Sequence, residues 1–197
     1  LAHPAPGIFL EAVLLGIDVV VAVAFLVLYR RGASEGVLKG LGVVAVAMAA
    51  IFSYACGSSY MMSSQLAWNT VALPLGYLGT ALAAGTALWY LLCAARREEG
   101  AALSFAATET LVGAAAALVT SLAYGLLAGI VGGDSAILFW VGVVVPAACG
   151  VAGMKKTEGA LSLATVAVVG AFIGAVAYRV LMWTASIALM SLFGVSI

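Results

Sequence analysis

Polar and apolar positions in this chain separate by segment: long apolar runs alternate with short connectors that hold most of the charge. The runs predict six membrane-spanning helices, Gly7–Arg30, Val37–Met62, Val71–Ala95, Ala101–Val131, Ser135–Met154 and Gly159–Trp183. Each reaches the roughly 20 helical residues that cross a hydrocarbon core of about 30 Å. Membrane strands are shorter and alternate apolar with polar positions, so the pattern excludes a β-barrel. The uncharged tail Thr184–Ile197 is expected to continue the last helix or to lie in the interface. The expected fold is an all-α integral membrane protein, one transmembrane helical bundle over residues 1–197.

Composition points the same way. The 197 residues are 65% hydrophobic and 8% charged, against roughly 25% charged in a soluble domain. Mean hydropathy is +1.23. Net charge is zero and no basic block exists, which excludes nucleic acid as a partner. Cys56, Cys93 and Cys149 stand singly in apolar surroundings, a spacing that suits neither an iron–sulfur cluster nor a zinc site. Such cysteines act as small packing residues. His3 is the single histidine, so a haem held by two axial histidines of this chain is excluded by count, and no metal site is expected. The chain starts at Leu1, as expected of a processed N-terminus or of a longer polypeptide, and shows no signal-peptide pattern.

The connectors predict a topology. Arg30, Arg31 and Lys39 flank the first, Arg96 and Arg97 the third, and Lys155 and Lys156 the fifth. The second, around Trp68–Asn69, and the fourth, at Gly132–Asp134, hold no Lys or Arg. By the positive-inside rule connectors one, three and five are cytoplasmic and both chain ends face outward. Tyr29, Trp89 and Tyr90 then form an inner aromatic belt, with Tyr60, Trp68, Trp140 and Trp183 on the outer side. Small-residue pairs at Gly36/Gly40, Gly125/Gly129 and Gly170/Gly174 mark close helix approaches. Pro146 is expected to kink the fifth span, and Pro74 sits near the start of the third.

Among eight acidic and eight basic residues, four fall inside apolar runs: Glu11, Asp18, Glu109 and Arg179. A charge in hydrocarbon costs several kcal/mol, about 2.5 or more, so each is a candidate functional position. Asp18 follows Glu11 by seven residues and shares its helix face near mid-membrane. Arg179 lies about 30 Å along the last span, in the outer layer that also holds His3 and Glu11. Glu109 falls at a depth similar to Asp18. A histidine or carboxylate in hydrogen-bond reach of a hydroquinone hydroxyl can accept the proton lost on oxidation, so the outer cluster suits a quinol site. Plainer readings stand beside this one. His3 is otherwise an interfacial residue, Glu11 a helix-start carboxylate, and Arg179 a side chain snorkelling to headgroups. Asp18 and Glu109 are either a proton path or protonated structural acids.

Several short elements together resemble the membrane anchor subunit of the dimethyl sulfoxide reductase family. They are Ser58-Ser59-Tyr60-Met61-Met62, Ala67-Trp68-Asn69-Thr70 and Leu73-Pro74-Leu75. Leu1-Ala2-His3-Pro4 resembles the family's His-Gly-Pro turn, and Gly7-Ile8-Phe9-Leu10-Glu11 the opening of the helix that follows it. Gly174-Ala175-Val176-Ala177-Tyr178-Arg179 is similar to an element of the last helix. Ala67-Trp68-Asn69-Thr70 is the most specific of these.

The resemblance implies a subunit that oxidises menaquinol and passes electrons to an iron–sulfur partner, which relays them to a molybdopterin catalytic subunit. It implies no haem in this chain, and His3 and Glu11 around the quinol, with Arg179 and Tyr60 as further quinol-binding candidates. The partners are expected on the outer face of a bacterial cytoplasmic membrane. Two departures stand out. Family members have eight helices, two of them ahead of the His motif at which this chain begins, so either that first pair is absent or the complete subunit has eight. The run from His3 to Glu11 is also shorter than the family's. The rival reading of a different class is a proton-coupled small-molecule transporter with Asp18 and Glu109 as coupling acids. A passive anchor without quinol chemistry is the third.

Overall fold

A computed structural model describes residues 6–128, 135–155 and 158–192, with side chains placed for 7–128, 135–155 and 158–185. These residues form six helices long and apolar enough to cross a membrane, and no strand. They are α1 Pro6–Arg30, α2 Glu35–Ser58, α3 Ala72–Ala95, α4 Gly100–Ala128, α5 Ser135–Lys155 and α6 Ala160–Leu192. The protein is an all-α, multi-pass membrane protein.

Differences from the expected boundaries have local causes. Helix α2 begins at Glu35, whose carboxylate pairs with Lys39 one turn on at 2.8 Å. The pair sits at a solvated helix end, where charge is compatible with helix. The same helix ends at Ser58, because Ser59 N–H bonds to Ala55 O at 2.9 Å and Tyr60 N–H tightens to Gly57 O at 3.3 Å. The tail continues α6 as far as Leu192.

The chain divides into two compact units, Leu1–Tyr60 and Met61–Ile197. In the first, α1 and α2 pair as a hairpin that buries Leu14, Ala55 and Gly57. Its turn is a Schellman motif: Gly32 N–H bonds to Tyr29 O at 3.1 Å and Ala33 N–H to Leu28 O at 3.0 Å, with Gly32 at φ +71°. The turn after α3 repeats these bonds, from Arg97 N–H to Ala94 O and from Glu98 N–H to Cys93 O, but there Arg97 holds the left-handed position at φ +58°. A side chain in that region costs about 1–2 kcal/mol. Gly32→Ala therefore lowers stability by about 1 kcal/mol and Arg97→Gly raises it by a similar amount. Thermal unfolding in detergent checks both; shifts of the same sign would contradict the backbone argument.

In the second unit each helix packs on its chain neighbours, and α6 closes the ring against α3. Small residues line the seams. Ala83, Ala87, Ala117, Cys149, Ala167 and Ala171 form one buried cluster with Val143, while Tyr90, Cys93, Ala106, Ala107 and Ala164 belong to another. Close approach replaces bulky packing because lipid supplies no hydrophobic drive between helices. The α5–α6 seam is tightest at Gly142 and Gly174, where a Cβ on either glycine would fall on the other's Cα. A Cβ on Gly170 would stand 2.9 Å from Val141 O. Of the expected glycine pairs, Gly170/Gly174 thus marks a real seam, whereas Gly36 and Gly40 meet nothing within 4 Å.

The break expected at Pro146 takes the form of a π-helical segment, Leu138–Val144, just ahead of it. Val145 N–H bonds to Trp140 O, five residues back. Proline offers no N–H, and the widened register begins the repair one residue earlier. Two expected belt aromatics are buried instead: Tyr90, fully, against Gly153 of α5, and Trp68 against α6.

Candidate functional site

The first unit carries Glu11, Asp18 and Tyr60. Gly7 at the start of α1 crosses Ser59 just beyond α2, so closely that a Cβ on Gly7 would stand 2.6 Å from Ser59 Cβ. Glu11 lies one turn along α1 from that crossing, half-buried. Asp18 follows on the same face, also half-buried. Tyr60 closes the turn after α2, beside Ser58 and Ser59, whose hydroxyls donate to Ala55 O and Cys56 O at 2.9 Å each. This end of the hairpin is therefore a polar cap, with Glu11 one turn beneath it. Neither acid has an ion pair or hydrogen bond to another described residue. His3 lies outside the described residues.

The second unit carries Arg179 and Glu109. Arg179 Nη1 donates to Ala175 O at 2.9 Å, and its guanidinium stands 4.6 Å from the centroid of the Tyr77 ring. Such a cation–π contact holds a charge beside apolar surroundings. Tyr77 meets Tyr178 edge-on at 5.8 Å, and Tyr178 meets Tyr124 at 5.4 Å, so α3, α6 and α4 share one aromatic wall. Tyr178 Oη donates to Leu73 O at 2.9 Å in the first turn of α3. Trp68 Nε1 donates to Met182 O at 2.8 Å and its ring meets Trp183 edge-on. Thr70 Oγ1 accepts from Ala72 N–H at 3.3 Å. Trp68 and the Leu73 carbonyl thus fasten the start of α3 to α6. Glu109 sits on α4, half-buried and without an ion pair among the described residues.

Sequence reasoning singled out charges and so passed over the tyrosine wall. Tyr77, Tyr124 and Tyr178 are ordinary residues in a membrane helix taken one at a time. The available signal was Gly76, where a Cβ would fall on Tyr178 Oη: a glycine next to an aromatic often marks a ring seated on backbone. Cys93 and Cys149 are buried and Cys56 half-buried, and among the described residues no three His, Cys, Asp or Glu side chains gather into a possible metal site.

The chain matches one family model, described as DMSO reductase anchor subunit (DmsC), over residues 8–183. No curated protein and no solved structure matches it.

Proposed function

Because the chain belongs to the DMSO reductase anchor subunit (DmsC) family, and so serves as the membrane anchor of a reductase complex, we propose that it also oxidises menaquinol. The electrons pass to an iron–sulfur partner and from there to a molybdopterin catalytic subunit. The family match over residues 8–183 carries this reading. Glu11 supplies its chemistry: a half-buried carboxyl, without a partner among the described residues, one turn below a polar helix end.

Oxidation of a hydroquinone releases two protons and two electrons. Glu11 takes one ring proton and His3 the other, with Tyr60 hydrogen-bonding the ring oxygen. Arg179 is proposed as a further quinol-binding residue. Asp18, on the Glu11 face, passes a proton along α1, and Glu109 serves the same purpose on α4. Both electrons leave to the partner's cluster, since one histidine and three isolated cysteines provide no cluster ligands here. The partner subunits sit on the outer face of a bacterial cytoplasmic membrane, the face to which the positive-inside rule assigns the start of α1.

Purification in mild detergent, with mass spectrometry of co-purifying chains and metal analysis, tests the assembly. An iron–sulfur chain and a molybdenum-bearing chain are expected in stoichiometric amounts. A chain that purifies alone, free of iron and molybdenum, would overturn the proposal.

A further inference from the structure

The segment 61–71 leads into α3 within the second unit, and it is rooted firmly there. Trp68, 6% exposed, turns inward and donates its indole N–H to Met182 O at 2.8 Å. Gln65 O accepts from the N–H groups of both Trp68 and Asn69 at 3.0 Å, and Gln65 N–H donates to Met62 O at 3.1 Å. These bonds tie the segment into a knuckle of fixed shape.

Its outward side is apolar. Leu66 is 74% exposed, and Val71 and Met62 are exposed with it. Trp183, also exposed, meets Trp68 edge-on at 5.2 Å. Ser63, Ser64 and Asn69 add exposed polar groups without charge. No Lys, Arg, His, Asp or Glu stands anywhere between Lys39 and Arg96.

Lipid tails do not suit this patch. The segment is not helical, and the N–H groups of Ser63, Ser64 and Leu66 have no backbone partner among the described residues. Exposed irregular backbone of this kind is excluded from hydrocarbon, so the knuckle lies beyond the hydrocarbon layer. There the Leu66 side chain faces water and gains by leaving it. Protein is the cover that satisfies both the apolar side chains and the polar backbone. The composition agrees, since the centres of protein interfaces are poor in charge and rich in Met and Trp. A knuckle already fixed in shape also loses little freedom on docking.

We propose that segment 61–71, with Trp183, is the seat for the iron–sulfur partner, which meets it with an uncharged apolar recess that takes Leu66. The inference rests on the assembly proposed above, which puts the partner on the outer face. The positive-inside rule assigns the α2–α3 connector to that face.

The test is recovery of the iron–sulfur chain with the full-length anchor in mild detergent. Leu66→Lys lowers that recovery about tenfold, as expected for the centre of an interface. The anchor's melting temperature stays the same, because so exposed a side chain has little packing to lose. Glu99→Lys, exposed in the turn between α3 and α4 at the opposite face, recovers as much as the parent. A benzophenone amino acid at position 66, activated by light in intact membranes, cross-links to the iron–sulfur chain. If the parent recovers no iron–sulfur chain, the assembly fails and the seat with it. If the parent recovers it and Leu66→Lys does so equally, the seat is overturned while the assembly stands. Cross-links confined to lipid or to a second copy of this chain would also overturn the seat.

Discussion

Gly174→Val disrupts the second unit and lowers its melting temperature by roughly 10 °C, from an overpacking cost near 3 kcal/mol. The first added carbon falls on Gly142 Cα, which is main chain and unable to rotate aside. Only a rigid shift of α5 away from α6 relieves the clash. That shift would also disturb Pro146 and Val145, which lie 3.2 Å from a Cβ on Gly170 one turn away. Gly85→Val is the matched control: it lies in the same unit, exposed, with nothing within 4 Å. Thermal unfolding in detergent compares them. If both variants melt together, the seam does not hold the bundle.

Glu11→Gln in the assembled complex cuts menaquinol-dependent turnover at least a hundredfold, the lower range of what a positioned proton acceptor contributes. Turnover driven by a soluble dye that reduces the partner subunits directly stays at the parent rate. Glutamine keeps the shape of the side chain but no longer takes a proton, so folding and docking are preserved while proton transfer is lost. Glu11→Asp retains part of the activity. A Glu11→Gln complex with full menaquinol turnover would make the chain a passive anchor.

The six helices were legible because bilayer thickness writes itself into run length. The acids and the arginine stood out for a similar reason: a charge in an apolar run is conspicuous. Helix ends were less so. Glu35 and Lys39 look like connector residues, yet they form an ion pair on the first turn of α2. What depended on distant neighbours was hidden. Gly170 and Gly174 announced a seam, but their counterpart Gly142 lies in a π-helical segment that no periodicity indicates. Tyr90 and Trp68 fit an interfacial belt equally well until Gly153 and Met182 O provide a buried seat. Tyr77, Tyr124 and Tyr178 are unremarkable in sequence, because an aromatic wall exists only once the helices that carry it have packed.

The backbone-on-backbone seams also limit how this bundle can drift. Every amino acid one base change away from a glycine codon brings a Cβ. At Gly76, Gly113, Gly142, Gly153 and Gly174 that carbon lands on atoms already in place. Where the obstacle is a side chain, as with Tyr90 at Gly153, a second substitution can make room. Where it is main chain, as between Gly142 and Gly174, no compensating change exists. Sequence variation in such a protein is therefore channelled to the lipid-facing positions, and two copies that diverge for a long time would keep this crossing almost letter for letter.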